Sequence, residues 1–134
     1  MFAAMLFAIS IVALTQFAAY YWRAMLAGAA AQPVSERVLA AAGVQNGQVT
    51  GQDFPALAGL HNLTPELRSG GTGLGLVRAY YKVVDAIASL VGRSLPAVRA
   101  WSERELAVCA RYAAVQIDRR LQANLELAAS LRSC

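Results

Sequence analysis

MFAAMLFAISIVALTQFAAYYWRAMLAGAAA, residues 1–31, is the stretch that decides the fold. Its first charged side chain is Arg23, and before it only Ser10, Thr15 and Gln16 interrupt apolar and aromatic residues. As a helix, the segment from Met1 to Trp22 measures about 33 Å at 1.5 Å per residue, the thickness of a bilayer core. Tyr20, Tyr21 and Trp22 stand in a row before Arg23. Aromatic rings at headgroup depth, followed by a cation, are how a membrane helix meets water. Those four residues are therefore expected at the membrane interface, and residues 1–31 read as a single transmembrane anchor.

Two other readings compete. Ala27-Gly28-Ala29 and Ala29-Ala30-Ala31 look like cleavage sites of a secretory signal. Against this, no Lys or Arg precedes the apolar run, the run is long, and Arg23 intrudes before the small residues. A helix buried in a soluble bundle is the other reading. A chain this short has too little protein to surround a helix that is apolar on every side. The spacing of Ala4 and Ala8, and of Ala24 and Gly28, suits close helix approach in lipid. Alanine is common enough here for chance to give the same pairs.

Beyond the anchor there is chain for one small domain. The whole sequence is 57% hydrophobic and 15% charged, against roughly a quarter charged in soluble domains. The net charge is +4, and eleven of the twelve cations are arginine, with Lys82 the one lysine. A modest positive balance beyond a membrane helix suits anionic lipid. It is too small, and too mixed with Asp and Glu, for nucleic acid. Arg23 and Arg37 follow the anchor closely while only the α-amino group precedes it. The positive-inside rule then puts the C-terminal domain in the cytoplasm. Cys109 and Cys134 are too few for a disulfide framework and agree with a reducing compartment.

The pattern predicts an all-α fold in three stretches: the anchor (1–31), short helices with a glycine-rich loop (32–73), and two longer helices (74–134). Gln32-Pro33 should end the anchor. Ser35 suits the N-cap of a helix over 36–42, closed by Gly43. Asn46-Gly47 marks a turn, and Asp53 can cap a helix over 54–60. Thr64-Pro65-Glu66 is a further helix start. From Leu74 to Val91 apolar residues cover about half the helical circumference, with Arg78, Lys82, Asp85 and Ser89 on a narrow opposite strip. So little polar face predicts a mostly enclosed central helix, with Tyr81, Val84 and Ile87 buried and Arg78, Lys82 and Ser89 exposed. The last helix should span about 97–131, either unbroken or with a break near Trp101 before the capping-box pattern Ser102-Glu103-Arg104-Glu105.

Few residues suggest chemistry. Gly71, Thr72 and Gly73, in the loop Gly70–Gly75 and flanked by Arg68 and Arg78, could cradle an anion or lipid headgroup on backbone N–H groups. The pattern lacks a preceding strand and the Gly-Lys-Ser/Thr of a P-loop, so a simple joint explains it equally. His61 has no orienting acid at helical spacing, and the sequence implies neither a metal nor a cofactor. Mid-helix Cys109 reads as a small hydrophobe, and nothing follows Cys134 to make a prenylation box. The last helix is the oddity. One apolar stripe, from Leu106 to Leu131, suffices for docking. Trp101, Val108, Tyr112 and Val115 form a second seam, bordered by Arg104 and Arg111. Either helices 36–42 and 54–60 cover that seam, or it binds a protein partner or a second copy. The overall expectation is a non-enzymatic, membrane-anchored interaction, assembly or scaffold module. A small regulatory module that binds an anion at the glycine loop is the alternative.

Overall fold

The computed structural model describes residues 1–44, 47–65 and 74–134. Those residues form an all-α fold of five helices: α1 (Phe2–Ala30), α2 (Glu36–Ala41), α3 (Phe54–Leu63), α4 (Leu74–Val91) and α5 (Pro96–Arg132). One 3-10 turn, Gly51–Asp53, leads into α3. The described residues contain no strand.

α1 is long and apolar enough to cross a membrane, and none of its most hydrophobic window is buried within the protein. Every residue from Met1 to Tyr21 is exposed. A core helix of a soluble bundle would be covered there, so that reading fails. Protein contact begins at the half-buried Trp22 and continues through Leu26 and Ala30. That helical spacing puts one face of the last two turns against the domain. The helix stops just before Gln32-Pro33, as Pro33 demands.

α5 lies at the centre of the domain, and α4 does not. The 37-residue α5 runs unbroken, with Pro96 in its first turn, where a missing N–H costs nothing. All the other helices and the 3-10 turn pack on it. Cys109, Ala110, Ala113 and Ala114 are sealed from solvent, and such small side chains let neighbours approach closely. α4 has the expected bounds but is far from enclosed. Val77 and Val84 are buried and Tyr81 is half-buried, whereas Leu76, Val83, Ile87 and Leu90 are exposed. The expected burial thus holds for Val84 and fails for Ile87. Lys82 and Ser89 are exposed and Arg78 is half-buried. The wheel located an apolar face correctly, but only part of that face meets protein.

Local signals act slightly differently from their sequence reading. Ser35 occupies the N-cap of α2 without bonding its backbone. Its hydroxyl instead donates to Asp118 Oδ1 on α5 at 2.5 Å. Asp53 precedes α3, but its carboxylate turns back to accept from the N–H and hydroxyl of Thr50, at 2.8 and 2.9 Å. Gly43 and Gly47 have φ of 73° and 68°, the left-handed region that a side chain resists. Asn46 and Glu66 lie outside the described residues, so the turn expected at Asn46-Gly47 and the helix start expected at Thr64-Pro65-Glu66 are not placed.

Candidate functional site at the base of the long apolar helix

Three elements converge where α1 joins the domain. Arg23 of α1 donates to Glu105 Oε1 of α5 at 2.6 Å, and Tyr80 Oη of α4 donates to Glu105 Oε2 at 2.9 Å. Glu105 is buried, its side chain 8% exposed against 57% for Arg23. A carboxylate withdrawn from water needs such donors. Trp22 meets Tyr80 edge-on, with ring centroids 6.1 Å apart. Burial, then the Glu105 hydrogen bond and charge, hold the Tyr80 phenol well above its ordinary value. It stays a donor throughout the physiological range. The cluster fastens α1 to both long helices at once.

Grooves flank this junction. One lies between α1 and α5, lined by Tyr20, Arg23, Trp101, Arg104 and Val108. The other lies between α1 and α4, lined by Ala18, Trp22, Leu76, Val83, Ile87 and again Trp101. The expected interface set Tyr20, Tyr21, Trp22 and Arg23 therefore marks the level at which α1 passes from exposed helix to docked helix.

The second seam of α5 divides. Trp101 and Val108 are half-buried, and Arg104 and Arg111 are exposed. Tyr112 and Val115 are buried by their own chain, 7% and 2% exposed. For those two the reading of a seam left open to a partner fails, and for Tyr112 the other reading, cover by the two short helices, holds. A central helix needs more than one apolar stripe, because it meets neighbours on several sides. Tyr112 accordingly joins the cluster that holds Leu26, Val38, Phe54 and Leu57.

Other singled-out residues hold structure. Cys109 is fully buried, and burial, followed by the nearby Glu105 charge, pushes its thiol up to about 12. It is a packed, protonated thiol. His61 is buried on α3, and its carbonyl accepts from Arg120 at 3.5 Å, beside a 3.4 Å bond from Arg120 to the Thr64 carbonyl. A guanidinium there complements the C-terminal end of α3. Arg78 donates to Asn62 at 3.3 Å. Arg68, Gly71, Thr72 and Gly73 lie outside the described residues, so the anion-binding expectation is not placed. Among the described residues, no three His, Cys, Asp or Glu side chains gather as a metal would require.

Sequence reasoning missed Glu105 and Tyr80. A signal existed: Glu105 lies between Trp101 and Val108, an acid inside an apolar seam. Such a group needs a buried partner, and Arg23 is the cation nearest the apolar run. Neither a protein-family model, nor a curated protein, nor a solved structure matches this chain.

Proposed function

We propose a non-enzymatic, single-pass membrane protein whose helical domain, on the cytoplasmic side, assembles with another protein or with a second copy of itself. The observation that carries the assembly role is the far end of α5. From Leu121 to Arg132 every residue except the half-buried Asn124 is exposed, including Leu121, Leu125, Leu127 and Leu131. Asn124 donates to the Pro65 carbonyl at 3.1 Å. Most helical stability comes from packing of an apolar face, and these turns pack theirs on nothing within the described residues. Three turns that carry leucines away from the junction with α1 are suited to a partner helix. This moves the expected contact from Tyr112 and Val115 to the distal turns, with Arg104 and Arg111 still on the outer surface. Three groups that acid–base or covalent chemistry could use are occupied in packing: Cys109 in the core, Glu105 and Asp118 in ties between elements.

Deleting residues 122–134 tests the reading. The shortened protein should keep the helical body and its melting temperature in mild detergent. Light scattering after size exclusion should show the full chain associated, or carrying a partner from its native membrane, and the shortened chain monomeric. A full chain that is monomeric and brings no protein with it after cross-linking in the membrane would defeat the proposal.

A further inference from the structure

The exposed face of α4 is continuous with the base of α1. Leu76, Val83, Ile87 and Leu90 recur at helical spacing and are exposed, Leu90 at 80%. The upper part of this stripe lines the groove against Ala18, Ala19 and Trp22 of α1. Lys82, Asp85 and Ser89 occupy the opposite side of the helix. Past the turn that joins α4 to α5, Leu95 is also half-uncovered, at 51%.

Register sets the depth of this face. Arg23 pairs with Glu105, and further along Gln32 bonds Arg119 at 2.7 Å. α1 and α5 therefore run in the same direction, and α4 returns antiparallel beside α5. Pro96 precedes Glu105 by nine residues, or about 14 Å of helix. Leu90 follows Tyr80 by ten, or about 15 Å. The tip of the α4–α5 hairpin thus lies beside the apolar part of α1, on the exposed side of Arg23. Trp101, between tip and Glu105, lines a groove with Tyr20. Its ring falls at the same level as the aromatic row of α1.

Charge agrees with this depth. From Ala86 to Ser102 the chain has two cations, Arg93 and Arg99, and no carboxylate. Both arginines are exposed, and Arg99 also meets Glu103 at 3.2 Å. Apolar side chains among long cationic ones are the composition of a segment seated in a lipid interface, where arginine reaches outward to phosphate.

We propose that the α4–α5 hairpin is a second membrane contact, its tip seated in the anionic leaflet from which α1 emerges. The proposal rests on α1 being the membrane anchor. In place of a domain tethered above the surface, the protein would be held at two points and fixed in orientation.

The test uses the full chain in a Cys134→Ser background, where buried Cys109 resists labelling. Single cysteines at Leu90, Lys82 or Val12 carry an environment-sensitive fluorophore, in vesicles of phosphatidylcholine and phosphatidylglycerol with or without brominated acyl chains. Labels at Leu90→Cys and Val12→Cys should both lose most of their emission in brominated vesicles, while Lys82→Cys keeps its own. Replacing Arg93 and Arg99 together by Glu should reduce quenching at Leu90→Cys and leave Val12→Cys unchanged. Quenching at Val12→Cys without quenching at Leu90→Cys overturns the hairpin contact and spares the anchor. Absence of quenching at both overturns the anchor reading as well. An unquenched label at Leu90→Cys, together with a disulfide between two copies when the same variant is oxidised without its label, gives the face to a second chain, which also overturns the lipid contact.

Discussion

Glu105 accepts from Arg23 and Tyr80 while its side chain is 8% exposed. The pair is 82 residues apart in sequence, so no local pattern announces it. Arg23→Met should take both a donor and the countercharge from the carboxylate and leave it the Tyr80 hydroxyl, at a cost of about 2 kcal/mol. Glu105→Gln added to that variant removes the stranded charge and should restore most of the loss. Denaturation in detergent, followed by tryptophan fluorescence, checks this, since Trp22 lies against Tyr80. Strictly additive losses would mean the pair is not coupled. Cys109 gives a pH dependence. Its folded thiol is raised from 9.0 to about 12 by burial first and Glu105 second. The unfolded chain releases that proton near its ordinary value, so the unfolded state binds fewer protons across this window. The contribution of Cys109 is whole below pH 9 and is lost as pH climbs toward 12. Cys109→Ala should flatten the alkaline fall in denaturation midpoint without abolishing it, because the raised Tyr80 phenol acts above pH 10 in the same sense. Superimposable pH curves for the two proteins would contradict this account.

Among the elements, α4 and α5 exchange the roles expected of them, and the reason is physical. Periodicity identifies an apolar face but not the medium that covers it. Lipid, a partner and the protein's own core give the same wheel. The bounds of α4 at Leu74 and Val91 were therefore legible, whereas the exposure of Leu76, Val83 and Leu90 was not. The two seams of α5 were legible as well. Their meaning depended on how many neighbours surround the helix, which only tertiary packing decides. A change at the second seam discriminates. Replacing Tyr112 and Val115 together by Ser should unfold the domain, since each loss of buried side-chain volume costs roughly 2 kcal/mol or more. Circular dichroism melting in detergent would show a lost or much lowered transition. A folded double variant that merely fails to associate would return Tyr112 and Val115 to a partner interface. Gly51, by contrast, was never read as special. A side chain there would meet Leu106 Cβ at 2.5 Å, so the 3-10 turn lies close on α5 because the residue is bare.

At the scale of the whole molecule, the exposed turns of α1 lie at one end and the free turns of α5 at the other, with the Glu105 junction between them. The proposed orientation rests on neither packing nor hydrogen bonding, but on charges beside the apolar run. Arg23 and Arg37 follow that run and no arginine precedes it. The proposed cytoplasmic placement of the domain rests on the positive-inside rule applied to these two arginines. Cys134 is exposed at the far end of α5 while Cys109 is sealed in the core, so a thiol reagent on the folded protein reports Cys134 alone. In intact cells, a membrane-impermeant maleimide should leave Cys134 unmodified and should label it once the membrane is opened. Denaturant should then be needed to reach Cys109, which confirms that the domain was folded during the assay. Three arginines inserted before Phe2 offset Arg23 and Arg37 and should make Cys134 reactive in a large share of intact cells. Labelling of the unaltered protein without opening the membrane would place the domain outside. If the inserted arginines changed nothing, the orientation would be governed by something other than these flanking charges.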